Sequence, residues 1–157
     1  MSIPITSRAF TDGEPIPARF TQDGEGVSPQ LSWGNVPAGT KELALICDDP
    51  NAPKPSPTVH WVVYKIPPTV HELHESLPRH AVTGTPPMRQ GLNYLKRPGY
   101  DGPAPPKGHG VHHYHFKLYA LDKSLDPTDA IDGRAFYTAI TGHVLDEGEI
   151  VGTYQRP

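Results

Sequence analysis

The sequence has only one cysteine, Cys47, in 157 residues. A single cysteine excludes an internal disulfide framework and favours a reducing compartment. Long apolar runs are also lacking: no stretch is long enough to cross a bilayer, and the first ten residues, MSIPITSRAF, have no apolar segment of the kind found in secretory signals. These absences predict a cytoplasmic protein without a membrane span.

Strong charge is lacking as well. The 14 lysines and arginines against 17 acidic residues give a formal net charge of −3, and no basic block interrupts the chain. Proteins that bind the nucleic-acid backbone need such basic surfaces to neutralise phosphates. We therefore expect no nucleic acid among the partners.

Proline and glycine, by contrast, are abundant, with 20 and 15 copies. This composition is typical of a globular protein with many turns, and the length suits one domain with a sizeable core. No repeat or linker divides the chain. We predict a single domain over residues 1–157.

Strand patterns dominate the ordered stretches. Residues 41–48 (KELALICD) are apolar on both faces, which predicts a central strand. The strand that begins at His112 alternates, with Tyr114 on the same face as His112. Further strands are predicted at residues 60–66 (HWVVYKI) and 149–154 (EIVGTY), and edge strands within residues 3–21.

Two other stretches complete the prediction. Asp132 can cap a helix that runs to about His143, with apolar residues at helical spacing. Residues 67–110 show no convincing helix or strand apart from a short turn near 72–76, and they are rich in proline and glycine. Such a long irregular stretch favours a loop packed on itself that walls a functional site.

The strand order predicts a meeting of three polar side chains. Asp49 ends the central strand, and His60 and His112 each begin a neighbouring strand. If both neighbours run antiparallel to the central strand, their starts lie beside its end. We therefore expect Asp49, His60 and His112 to converge at one end of the sheet.

These residue types suit a small anion. Imidazoles donate hydrogen bonds to anionic oxygens, and Asp49 can accept from the far nitrogen of a histidine and fix its tautomer. Tyr114 adds a hydroxyl on the His112 face. The turn at residues 108–110 brings backbone N–H groups near, as in many anion-binding concavities.

Motifs spread over nearly the whole chain resemble a known family. DPNAP at 49–53, HWVVYKIP at 60–67 and GPAPPKGHGVHHY at 102–114 are similar to the phosphatidylethanolamine-binding protein (PEBP) family, which includes Raf kinase inhibitor protein. The likeness is greatest to the bacterial and archaeal branch, and it extends to LNYLKRPGYDGP at 92–103 and GHVLDEGEIVGTY at 142–154.

The resemblance implies a mainly β fold, with antiparallel β-sheets packed as a sandwich, a few short peripheral helices and long loops. It also implies a pocket for phosphate-bearing groups such as a phosphoethanolamine head group. Carried over motif by motif, the ligand-binding residues are Asp49, Pro53, His60, Ala104, His112 and Tyr114, of which Pro53 and Ala104 line the pocket wall.

Three positions depart from the family motifs. Asn51 stands where the family has a second aspartate, and Ala104 replaces a position that is often cysteine or glycine. His113 replaces the arginine of the GxHRY motif, on the strand face opposite His112, so we expect its effect on loop packing or a surface ion pair. None of the three removes an anion-contacting side chain.

We therefore expect a non-catalytic binding protein without a cofactor, whose partner is a small anionic or phosphorylated ligand. By analogy with the family, a kinase or a protease is an expected protein partner, and a homodimer is compatible with the resemblance.

Two alternatives stay open. One is a hydrolase-like enzyme that uses Asp49 and His60 with Cys47 as nucleophile.

The other alternative is a metal site. His109, His112, His113 and His115 lie within seven positions, and imidazole is a common ligand of zinc, copper and nickel. Strand alternation argues against it, because His113 and His115 share one face while His112 takes the other.

Overall fold

The computed structural model describes residues 3–51, 56–84, 86–125 and 131–157, and it is mainly β. Its strands form a three-stranded sheet, ordered β1-β2-β5, and a six-stranded sheet, ordered β6-β7-β4-β3-β8-β9, and all pairings within them are antiparallel. The strands are β1 (Ile5–Thr6), β2 (Leu31–Trp33), β3 (Glu42–Asp49), β4 (Thr58–Ile66), β5 (Glu72–Leu73), β6 (Val82–Thr83), β7 (Met88–Gln90), β8 (His112–Leu121) and β9 (Val144–Tyr154); the helix is α1 (Gly133–Ile140), and a short 3₁₀ turn spans Ala18–Phe20.

Strand β3 is the central element of the large sheet. All eight of its residues are buried, and it pairs with β4 on one side and β8 on the other. Leu43, Leu45 and Cys47 face the main core, while Ala44 and Ile46 face the opposite side. The sequence prediction of a strand buried on both faces is confirmed.

The two sheets pack face to face, as the predicted sandwich requires. Leu31, Trp33 and Leu73 of the small sheet join the same buried cluster as Trp61 and Phe116 of the large sheet. Burial of this much apolar surface is the main stabilising contribution to such a fold. The other face of the large sheet is covered by α1.

Helix α1 begins where the sequence predicts. The Asp132 side chain accepts a hydrogen bond from the Ala135 backbone N–H at 2.9 Å, which is the expected capping geometry. Phe136 and Ile140 are buried against the sheet. The helix ends at Ile140, three residues before the predicted end, because Thr141 has left helical geometry and Gly142 has a positive φ of 81°. No helix among the described residues has the length and hydropathy that crossing a bilayer demands.

In the irregular stretch between β4 and β8, the described residues form only the short strands β5, β6 and β7, and part of the stretch packs on the large sheet. Backbone N–H groups of Gly91, Tyr94 and Asp101 donate to carbonyls of β4, at 2.9, 2.7 and 3.0 Å. The last of these bonds goes to the carbonyl of His60. This anchoring fixes the loop against the first half of β4.

Candidate functional site

The strand register brings the predicted polar residues to one end of the large sheet. Asp49 is the last residue of β3 and His112 is the first residue of β8, and the two strands pair antiparallel with Asp48 opposite His115. On the other side of β3, Asp49 lies opposite Thr58, so that His60 follows two residues later. The predicted convergence is confirmed, most directly for Asp49 and His112, whose side chains bond to each other.

The Asp49 carboxylate holds His112 in a buried pair. Oδ2 of Asp49 lies 2.6 Å from Nδ1 of His112, and Oδ1 accepts a hydrogen bond from the Asn51 backbone N–H at 2.7 Å. Asp49 and His112 are only 3% and 2% exposed. Because a carboxylate accepts, the proton between them sits on Nδ1 of His112, as the sequence prediction of a tautomer-fixing aspartate requires.

The second ring nitrogen of His112 is also occupied. Nε2 of His112 lies 2.7 Å from Nδ1 of His109, and the two ring centroids are 4.9 Å apart. When His112 is neutral, its Nε2 accepts from the His109 Nδ1–H. His109 is exposed and sits between Gly108 and Gly110, whose φ angles are 71° and 89°. The sequence analysis named His109 only as a candidate metal ligand and did not predict its contact with His112.

His60 is held by a different partner. Its Nδ1 donates to the backbone carbonyl of Asp101 at 2.6 Å, and its side chain is buried. Burial lowers the pKa of His60 below 6.5, and the Asp101 carbonyl and nearby carboxylates only partly offset this effect. His60 is therefore neutral near pH 7, with a lone pair on Nε2, a nitrogen that bonds to no described residue.

Tyr114 fills the space between the two histidines. Its ring meets that of His60 edge-on at 5.2 Å and stacks with that of His112 at 6.5 Å. Burial raises its pKa, with nearby Asp49 acting in the same direction. The Tyr114 hydroxyl therefore keeps its proton and is a hydrogen-bond donor at any physiological pH.

Asp101 anchors the loop that holds His60. Its carboxylate accepts from Arg97 at 2.7 and 2.8 Å, from Asn93 at 2.6 Å, and from Arg79. Burial alone would raise the pKa of Asp101, but the hydrogen bonds from Arg97 and Asn93 and the charge of Arg79 outweigh it and lower that pKa. Sequence reasoning missed Asp101, because it lies in an irregular stretch where no periodicity reveals what a side chain contacts.

The remaining predicted residues have separate outcomes. Pro53 lies outside the described residues, and Ala104 is half-buried in the segment that follows Asp101. Asn51 braces the start of β8: its Oδ1 accepts from the backbone N–H of His113 at 2.8 Å and lies 3.0 Å from Nδ1 of the same residue. His113 thus contacts the residues that follow β3, and the effect of replacing the family arginine stays a prediction.

The structure also bears on the two alternatives. Cys47 is buried, and burial together with the charges of Asp48 and Asp49 raises its pKa well above 9.0, so that its thiol is a poor nucleophile. No three His, Cys, Asp or Glu side chains among the described residues are grouped to hold a metal. The histidines bond elsewhere, His109 to His112, His113 to Asn51 and His115 to Glu149.

The sequence model of the family described as "Phosphatidylethanolamine-binding protein" matches residues 6–155. The chain belongs to the phosphatidylethanolamine-binding protein family. A UPF0098 protein of Methanothermobacter thermautotrophicus is 46% identical over 154 residues, which cover 97% of this chain and 98% of the relative. A UPF0098 protein of Aquifex aeolicus is 43% identical over 154 residues, or 97% of this chain and 88% of the relative.

Two solved structures share the fold of this PEBP-family chain. E. coli YbcL, described as a new member of the mammalian PEBP family, matches with a TM-score of 0.93 and 31% identity, over 100% of both chains. The PEBP homologue CT736 of Chlamydia trachomatis matches with a TM-score of 0.86 and 36% identity, over 99% of this chain and 98% of that one. The mainly β sandwich predicted from the resemblance is thereby confirmed.

Proposed function

We propose that this chain is a non-catalytic binding protein whose site takes a small phosphate-bearing group, such as a phosphoethanolamine head group. One observation carries the proposal: a buried Asp49–His112 pair at 2.6 Å stands at the same sheet end as His60 and Tyr114. Nε2 of His60 and the hydroxyl of Tyr114 bond to no described residue, so both are available to a ligand. Membership of the phosphatidylethanolamine-binding protein family supports the same chemistry.

The protonation states define which ligand fits. Tyr114 offers a hydroxyl donor, whereas neutral His60 offers an acceptor at Nε2. A phosphate monoester carries a second proton with a pKa near 6, so its monoanion can donate a P–O–H to His60 while accepting from Tyr114. A fully ionised phosphate would instead require His60 to take up a proton. Either route predicts tighter binding as the pH falls from about 8 to about 6.

The site is not purely acidic despite Asp49. Arg156 lies close enough for its positive charge to oppose the rise in the Tyr114 pKa. Its guanidinium also binds Asp23, with N–O distances between 2.8 and 3.1 Å, so the charge is shared. The Asp49 carboxylate itself accepts from His112 and from the Asn51 backbone N–H, so a bound anion meets no carboxylate without partners.

His109 must move if an anion is to reach His112. Its Nδ1 occupies the position from which a ligand oxygen would bond to Nε2 of His112. The flanking glycines have open space around their Cβ positions, so the turn can adopt other backbone angles without a clash. In this proposal the resting histidine pair is replaced by a histidine–phosphate contact.

The test is isothermal titration calorimetry with phosphoethanolamine and with inorganic phosphate. His60→Ala and Tyr114→Phe should each weaken binding by about tenfold, because each removes one buried hydrogen bond to the ligand. His74→Ala is the matched control, since the side chain of His74 is 81% exposed. His109→Ala should tighten binding several-fold by removing the competing imidazole. Unchanged affinity in both His60→Ala and Tyr114→Phe would reject the proposal.

The finer expectations of a kinase or protease partner, of a homodimer and of a cytoplasmic location stay predictions. A phosphorylated side chain carries the same phosphate monoester as phosphoethanolamine, so it would meet the same groups.

A further inference from the structure

A cavity of about 520 Å³ lies beside Asp101, and His60, His112 and Tyr114 take no part in its walls. Its lining comes from three segments, residues 22–28, 76–80 and 97–101. A volume of this size is in the range of small-molecule sites. The cavity is therefore separate from the site proposed above and large enough for a ligand of its own.

The walls of the cavity are held in place without a ligand. The backbone N–H groups of Ser76 and Leu77 donate to the carbonyl and the hydroxyl of Ser28, both at 3.0 Å. From behind, the Gln90 side chain donates to the carbonyl of Pro78 at 2.7 Å. Such anchoring preserves the shape of the cavity and lowers the entropic cost of binding.

The cavity contains two guanidinium groups with donors that no described residue uses. Arg79 and Arg97 both bind the single carboxylate of Asp101. Each guanidinium has five N–H donors in a planar fork, and Nη1 of Arg97 and Nε of Arg79 bond to no described residue. The other acid in the lining, Glu25, is paired with Arg19, whose guanidinium also binds Glu75 at 2.9 Å. Guanidinium N–H donors of both arginines are thus left for an anionic ligand.

The rest of the lining is mixed: polar side chains such as His80 lie beside an apolar group formed by Val27, Leu77, Pro78 and Tyr100. A planar carboxylate matches the guanidinium fork, and an apolar body matches these side chains. We propose that this cavity binds a small aromatic or aliphatic carboxylate, with its carboxylate on Arg97 and Arg79 and its apolar body against Leu77 and Tyr100.

The experiment is a ¹H–¹⁵N NMR titration of the full chain with benzoate, with benzamide as the neutral isostere. Benzoate should shift the amide signals of Val27, Leu77, Arg79 and Tyr100 in a saturable way. Benzamide should bind at least about tenfold more weakly, as judged from the dissociation constant fitted to the same signals. Equal shifts with both compounds, or shifts confined to the surroundings of His60 and Tyr114, would overturn the proposal.

Two variants sharpen the assignment. Arg97→Gln should weaken benzoate binding about tenfold, while Arg134→Gln removes the same charge from an exposed position on α1 and should leave it unchanged. Gln22→Glu places a carboxylate in the wall without touching Asp101, so it should weaken binding even if Arg97→Gln fails to fold. Wild-type affinity in Gln22→Glu, or an equal loss in Arg134→Gln, would contradict the site. Phosphoethanolamine binding at His60 is measured separately, so the two proposals can fail independently.

Discussion

The Asp49 carboxylate accepts two hydrogen bonds, one from Asn51 and one from His112, while it is almost fully buried. A buried carboxylate costs free energy unless its lone pairs are used, and each partner would lose its acceptor if the carboxylate were removed. A similar Asp–His pair joins Asp122 and His143 at 2.9 Å, but its side chains are 46% and 39% exposed. The chain thus offers a buried pair and an exposed one for direct comparison.

Asp49→Asn should lower the free energy of unfolding by about 2 kcal/mol. The amide has one acceptor oxygen, so either the Asn51 N–H or the His112 Nδ1–H loses its partner. Asp122→Asn should cost less than about 0.5 kcal/mol, because water replaces the lost contact at the surface. Urea denaturation at pH 7 measures both changes, and equal losses in the two variants would show that burial does not strengthen the pair.

At this scale the sequence predicted some contacts and not others. Asp49 and His112 were predictable because each ends or begins a strand, where alternation and antiparallel pairing constrain the side-chain direction. His109 and Asp101 lie in irregular backbone, where the conformation depends on contacts that are distant in sequence. His60 was placed at the correct sheet end, but its partner is the Asp101 carbonyl, which no pattern specifies.

Among the elements, β9 shows how a strand depends on what covers it. It pairs with β8 on one side, and on the other it bonds to the N-terminal segment, where the Ile3 N–H donates to the Glu147 carbonyl at 3.3 Å. A Cβ at Gly148 would collide with the Ile3 carbonyl oxygen, which is backbone and cannot rotate away. Only glycine lets these two segments approach so closely.

Gly148→Ala should therefore destabilise the protein by about 2 kcal/mol, because the N-terminal segment must shift away from β9. Gly34→Ala is the control, since a Cβ there has no heavy atom within 4 Å and Gly34 is not at a positive φ. That variant should change the free energy of unfolding by less than about 0.5 kcal/mol. Thermal unfolding compares the two, and a Gly148→Ala protein as stable as Gly34→Ala would refute the packing argument.

The predictability of elements follows their length and periodicity. Strands β3 and β8 have long apolar or alternating patterns, so they were predicted within one residue. Strand β9 begins at Val144, five residues before the predicted start, because its first residues are mostly exposed and show no alternation. Strands β5, β6 and β7 have two or three residues each, too few to form a pattern.

For the molecule as a whole, buried titratable groups define the pH range of stability. Burial lowers the pKa of His60 below 6.5, so the unfolded chain takes up a proton before the folded one as the pH falls through 6.5. Burial raises the pKa values of Tyr100 and Tyr114 above 10.0, so stability is lost as the pH rises beyond that value. Glu42, whose pKa is raised above 4.5 by burial, has the opposite effect to His60 and acts just above pH 4.5.

The urea concentration at the midpoint of unfolding should accordingly decrease as the pH is lowered from about 7.5 to about 5.5. His60→Gln should flatten this decline, because glutamine can still donate to the Asp101 carbonyl but does not take up a proton. His74→Gln, at an exposed position, should leave the decline unchanged. An identical slope in wild type and His60→Gln would show that another group controls acid sensitivity.

The loop anchored along the first half of β4 has a consequence for how the chain behaves among its own copies. Strand β7 pairs only with Val63 and Tyr64 of β4. Before these residues, carbonyls of β4 accept hydrogen bonds from the loop N–H groups of Gly91, Tyr94 and Asp101. An open strand edge is a template on which another chain can add a strand and begin to aggregate. Since the loop closes this edge without regular pairing of its own, it protects the sheet over residues 59–62 without offering a new edge to a neighbour.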